Sequence, residues 1–168
     1  MDLLVSQIAT PIGAVLLVSD GVALHALDFL DYEARMHQLL RLHYGPYTLR
    51  PADGAGDLGR SVQRYFDGEL GALDGLAVRT GGTAFQRSVW AELRRIPVAT
   101  TISYGQLAGR IGRPSASRAV GMANGANPVA IVVPCHRVIG ANAKLTGYGG
   151  GLHRKAWLIA HERRHAGL

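Results

Sequence analysis

The sequence holds a single cysteine, Cys135. That excludes an internal disulfide and a multi-cysteine zinc cage, and it fits a reducing compartment. Acidic residues are scarce in the second half. Residues 79–168 carry 13 Lys+Arg against 2 Asp+Glu, a net of +11, whereas residues 1–78 carry 5 against 10, a net of −5. No run approaches the roughly 20 apolar residues that span a bilayer, and Met1–Thr10 lacks the basic start and long apolar stretch of a signal peptide. A cytoplasmic protein with no membrane partner is expected. With 48% hydrophobic and 18% charged residues, 168 residues can bury a core as one ordinary domain or two small ones. A cationic half attached to an acidic one draws in polyanions, nucleic acid first, although a solvated basic face with no ligand has the same composition.

Short apolar runs open the chain: Leu3-Leu4-Val5, Ala14 to Val18, and Val22 to Leu27. Turn residues Pro11-Ile12-Gly13 and Ser19-Asp20-Gly21 separate them, which predicts an antiparallel meander. Met36, Leu39, Leu40 and His43 follow helical spacing within 32–43, and a second helix is expected over 58–66. Residues 44–57 and 67–82 are rich in Gly, Pro and Asp and read as loops. The boundary therefore falls near 78–83, giving an N-terminal α/β domain over 1–80 and a C-terminal domain over 81–168.

The second half reads as helical. Thr83 caps a helix over 84–95 that sets Phe85, Val89, Trp90 and Leu93 on one face, with Pro97 beyond its end. A helix over 104–111 stops at Gly112-Arg113-Pro114, and Ser115 or Ser117 caps a third over 116–126. The last two match a helix-turn-helix, a pattern that many non-binding helical hairpins share. The third helix is nearly stripped of bulk, with Ala116, Ala119, Gly121, Ala123, Gly125 and Ala126 around Arg118. Gly costs about 1 kcal/mol relative to Ala inside a helix, so this composition has a cause. Either the backbone approaches something narrow, such as a minor groove, or the helix packs tightly inside the protein.

Cys135 lies in Asn127-Pro128-Val129-Ala130-Ile131-Val132-Val133-Pro134-Cys135-His136-Arg137-Val138-Ile139. Two prolines bar a regular internal strand and stiffen the approach to the thiol. A thiol attacks as thiolate, and an imidazole can take its proton; a buried, inert cysteine beside a histidine is the alternative. Pro134-Cys135-His136-Arg137-Val138 resembles the active-site signature of the O6-alkylguanine-DNA alkyltransferases, also called methylated-DNA–protein-cysteine methyltransferases. Family order and spacing extend to Ile102-Ser103-Tyr104-Gly105, Leu107-Ala108, Ser117-Arg118-Ala119-Val120-Gly121 and Asn127-Pro128. They continue through Gly147-Tyr148, Gly150-Gly151-Leu152, Lys155, Trp157-Leu158 and His161-Glu162. The resemblance is strong over 84–165 and loose over 1–78.

The resemblance implies a ribonuclease H-like antiparallel-sheet N-terminal domain and a helical, winged-helix-like C-terminal domain with a helix-turn-helix. It implies a monomer that binds double-stranded DNA containing O6-alkylguanine and moves the alkyl group onto Cys135 once per molecule, with no cofactor and no metal. His136 would act as base, through a water, and Glu162 would orient it. Asn127 would brace the turn before the nucleophile. Tyr104 would hydrogen-bond or protonate the leaving guanine, and Tyr148, Gly149 and the backbone at Val138 would line the base pocket. Arg118 would replace the extruded base, with Ala119, Gly121 and Tyr104 also against DNA. The chain departs from the common pattern at Gly149 (often Ser or Ala), Thr100 (often acidic) and Ala156 (often Glu), positions that bear on alkyl-size preference and stability.

Three other readings compete. A non-catalytic binder of alkylated DNA would lack the nucleophile. A sequence-specific regulator needs several base-reading side chains, where only Arg118 and Asn124 are candidates. His161-Glu162-Arg163-Arg164-His165 fits the H-E-x-x-H zinc helix, but its arginines crowd a cation and only Ala166, Gly167 and Leu168 follow. Gly147 to Gly151 lacks the Lys-Ser/Thr of a phosphate loop and reads as a turn.

Overall fold

The three opening runs pair as an antiparallel meander: β1 (Asp2–Ile8), β2 (Val15–Ser19) and β3 (Leu24–Phe29). At the second turn Asp20 Oδ1 accepts from the backbone N–H of Val22 (2.9 Å) and Ala23 (2.8 Å), while Gly21 adopts φ +94°, a conformation L side chains rarely reach. The computed structural model describes residues 1–52 and 56–167. Helix α1 (Glu33–Tyr44) turns Met36 and Leu40 into the core formed by Leu3, Leu16, Val18 and Ala26.

Within the expected loop 44–57 lies a fourth strand, β4 (Thr48–Pro51), parallel to β1, so the sheet order is β3-β2-β1-β4 and the sheet is mixed, with an antiparallel meander inside it. Its proline is tolerated because an edge strand has an unpaired side, and α1 supplies the crossover a parallel pair needs. Residues 53–55 of that expected loop lie outside the described residues. Helix α2 (Gly56–Phe66) follows, then a 3-10 turn at Leu70–Leu73. Residues 1–81 form one compact unit together with 128–132. In it the N–H of Leu27 donates to Pro128 O (3.0 Å) and that of Ala130 to Leu27 O (3.0 Å), so the apolar run before the cysteine lies along β3.

The second unit begins at Gly82, runs to Asn127 and resumes at Val133. It contains α3 (Ala84–Leu93), β5 (Ile102–Ser103), α4 (Tyr104–Arg110), α5 (Ser117–Gly125), β6 (Val138–Ile139) and α6 (Leu152–His165). Thr83 with Gln86 and Ser103 with Gln106 form reciprocal capping boxes that fix where α3 and α4 start. Beyond the Ile111 C-cap of α4, Gly112 adopts a φ of +74°, which lets Arg113 N–H reach back to Ala108 O (2.9 Å). Neither serine caps α5. Its N-cap is Ala116, fixed by a backbone bond from Ala116 N–H to Arg113 O (2.9 Å), and Ser117 is already helical. Buried Trp90 ties α3 to α5 by donating from Nε1 to Ala123 O (2.8 Å). Parallel pairing of β5 with β6 sets Ile102 opposite Val138, which brings Tyr104 at the head of α4 near the chain leaving the cysteine turn.

Candidate active site

Cys135 opens a 3-10 turn, Cys135–Arg137, and is 6% exposed. Two asparagines at the end of α5 and just past it hold that turn by its carbonyls. Asn127 Nδ2 donates to Val133 O (2.7 Å), and Asn124 Nδ2 donates to Cys135 O (3.3 Å). The Cys135 N–H also donates to Val133 O (2.8 Å). Each bond satisfies a buried polar group and pins the backbone on one side of Pro134. The helix carrying Arg118 is thereby bonded directly to the nucleophile's own peptide unit.

Behind the turn lies a buried ionic cluster. Glu162, on the inner face of α6, accepts from His136 Nε2 (2.7 Å), from Arg137 Nε (2.8 Å) and Nη2 (2.9 Å), and from the N–H of Ala99 (3.3 Å). Arg137 Nη1 donates onward to Ile96 O (2.7 Å). Burial by itself would raise the Glu162 pKa; the His136 imidazole and the forked Arg137 guanidinium outweigh it and hold the carboxyl far below its ordinary range. Burial pushes the His136 pKa below its ordinary 6.5, against the pull of Glu162, so the ring is neutral at neutral pH. A neutral ring that donates from Nε2 carries its lone pair on Nδ1. That nitrogen is buried and has no hydrogen-bond partner among the described residues.

Lys155 is fully buried on α6, and its Nζ donates to Thr146 O (2.7 Å) and Gly147 O (3.3 Å). Burial lowers its pKa to about 8, and the neighbouring Cys135 sulfur opposes that shift. The ammonium thus acts as a clamp on the loop between β6 and α6. The Tyr104 hydroxyl donates to the same Thr146 carbonyl (3.1 Å). Tyr148 and Gly149 lie half-buried in this loop, and Val138 is buried at the exit of the cysteine turn. Arg118 and Ala119 are exposed on α5, with Gly121 half-buried beside Tyr104.

The family model described as the 6-O-methylguanine DNA methyltransferase DNA-binding domain matches residues 84–164. A methylated-DNA–protein-cysteine methyltransferase of Salmonella typhimurium is 52% identical over 165 residues, covering 96% of both chains. This chain belongs to the methylated-DNA–protein-cysteine methyltransferase family. A family member from Mycobacterium tuberculosis is 45% identical over 95% of this chain and 92% of its own. The crystal structure of an O6-methylguanine methyltransferase from that organism matches with TM-score 0.80 at 41% identity, covering 97% of this chain and 94% of its own. A structure of that organism's protein in complex with DNA matches with TM-score 0.82 at 42% identity, over 98% and 94% of the two chains.

The residues of the H-E-x-x-H pattern are engaged in other contacts. The Glu162 carboxylate is committed to His136 and Arg137, the His161 ring stacks on Trp157 (4.6 Å between centroids), and His165 Nδ1 donates to the His161 carbonyl (2.9 Å). No group of three or more His, Cys, Asp or Glu suited to a metal occurs among the described residues, and none of the described helices is long and apolar enough to cross a membrane. Three residues of this site received no role from the sequence. Arg137 stands inside the signature pentapeptide and Lys155 within the family pattern, whereas Asn124 read only as a base-contact candidate. The available signal for it was a second asparagine three residues before Asn127, in the last turn of α5.

Proposed function

We propose that this chain repairs O6-alkylguanine in double-stranded DNA by taking the alkyl group onto Cys135, acting as a cytoplasmic monomer, once per molecule and without a cofactor. The observation that carries the reading is the buried Cys135–His136–Glu162 arrangement, with His136 Nδ1 left to accept a proton. In the step, the Sγ–C bond forms as the C–O6 bond breaks. The electron pair goes to the guanine, and the thiol proton goes to His136 through a water. Glu162 stabilises the imidazolium so formed, and Tyr104 hydrogen-bonds the departing base. Lys155, Asn124 and Asn127 are positioning residues: they fix the loop over the base and the peptide that carries the sulfur. A thioether is a poor leaving group and there is no second thiol, which limits each molecule to one transfer.

Stacked guanine presents O6 in the major groove, beyond reach of a buried thiol, so the nucleotide must be rotated out. The glycines of α4 and α5 support close approach of this unit to DNA. A Cβ at Gly109 or Gly125 would meet nothing within 4 Å, and one at Gly121 only the Tyr104 ring at 3.7 Å, an ordinary contact. Internal packing therefore does not demand these glycines. Gly121→Ala is expected to stabilise the protein by up to about 1 kcal/mol while weakening duplex binding several-fold, checked by thermal melting and fluorescence anisotropy. An unchanged duplex affinity would return Gly121 to a purely internal role.

The reading is tested with duplex DNA carrying labelled O6-methylguanine, followed by peptide mapping. Label is expected on the Cys135 peptide at no more than one equivalent. Label elsewhere, or several equivalents per molecule, would refute it.

A further inference from the structure

Helix α5 exposes Arg118, Ala119, Met122 and Gly125 along one face. Among them Met122 is the one large apolar side chain, and it is 74% exposed. Single exposed apolar residues are ordinary on protein surfaces, and Val22 (77%) and Leu42 (75%) are two more in this chain. Met122 differs in its setting. It stands four residues after Arg118, on the same helical face and one turn along. The face around it is cut down to Ala119 and Gly125, and nothing within the chain requires a glycine at the latter. Two side chains thus project from an otherwise flat ridge, one cationic and one apolar.

We propose that Met122 is a second wedge, pressed into the minor groove beside the lesion, where it props open the base step next to the one Arg118 fills. This inference rests on the proposed function and deepens it. One helical turn advances about 5.4 Å, against about 3.4 Å of rise along the duplex axis per base step. A residue one turn from Arg118 therefore reaches the neighbouring one or two steps. Apolar wedges that partly unstack such steps are an established way for proteins to bend DNA from the minor groove. An unbranched thioether suits the task, because three rotatable bonds let it fit the floor of the groove whatever the sequence. Water solvates the side chain poorly before docking, and the gain from burying it offsets part of the unstacking cost when the nucleotide turns out.

The test compares transfer rates from duplex and single-stranded oligonucleotides carrying the same O6-methylguanine, since only the duplex requires unstacking against a paired neighbour. Met122→Ala is expected to lower the duplex to single-strand rate ratio about tenfold, with Met122→Leu restoring most of it. A fluorescent base analogue beside the lesion should report less unstacking in Met122→Ala. The side chain is exposed, so melting temperatures are expected to match the wild type. A ratio unchanged in Met122→Ala, or retained in the polar near-isostere Met122→Gln, overturns the wedge. Should the wild-type protein transfer from neither substrate, the proposed function falls, and this inference with it; that result is distinct from equal ratios in an active protein.

Discussion

Cys135→Ala is expected to leave no measurable transfer of labelled methyl from duplex DNA, a loss of at least about a thousandfold, while duplex affinity stays near that of the wild type. In the proposed reading the two properties rest on different residues. The bonds that shape the turn run from Asn124 and Asn127 to the carbonyls of Cys135 and Val133, and they survive removal of the sulfur. Losing one small buried atom costs stability of about 1 kcal/mol, too little to unfold a domain of this size. Arg118, Ala119 and Met122 lie on the opposite, exposed side of α5 and are untouched. Label transfer and anisotropy on the same preparation provide the check. Persistent transfer would mean that another residue accepts the alkyl group.

Glu162→Ala is expected to be the most destabilising single change in the site, by about 3–5 kcal/mol, with loss of most transfer activity. The Arg137 guanidinium and the His136 N–H are buried around a carboxylate that is itself 1% exposed, and removing it leaves both without their anion. The His136 ring, proposed as the base, loses its orientation in the same stroke, since its Nε2 is held by Glu162. A pH dependence follows. The Glu162 pKa in the folded protein is depressed below its ordinary 4.5, so its contribution is complete above that value and is lost as pH falls below it. The gap in denaturation midpoint between wild type and Glu162→Ala should therefore be widest at neutral pH and narrow on acidification below 4.5. A gap that is constant through this range would show that packing, not charge, sets the effect.

Local patterns were readable wherever a residue's role depends on near neighbours in the chain. The meander, the Thr83 cap and the Gly112 stop all express forces that act over a few residues, and the structure contains each of them. Failures came where the competing force was tertiary. Thr48–Pro51 looks like loop because proline and glycine flank it, yet an open edge of β1 recruits it as a parallel strand. Ser115 and Ser117 looked like caps, but the turn's own backbone bond set the start of α5 one residue away. The small-residue composition of α5 left two explanations open. Exposure of Ala119 and Gly125, with empty space where the latter's Cβ would be, favours approach by something outside the chain.

The sequence alone determined the single cysteine, the imidazole beside it, the concentration of positive charge in the second half and the course of the principal helices. These follow from residue type and short-range spacing. Only the tertiary structure decided which carbonyls Asn124 and Lys155 hold, that Arg137 shares its carboxylate with His136, and that residues 128–132 run along β3. Glu162 and His136 are 26 positions apart, and Arg137 lies 41 from Ile96. No local periodicity encodes contacts at such separations; they arise when burial forces charged and polar groups to find partners wherever the folded chain brings them.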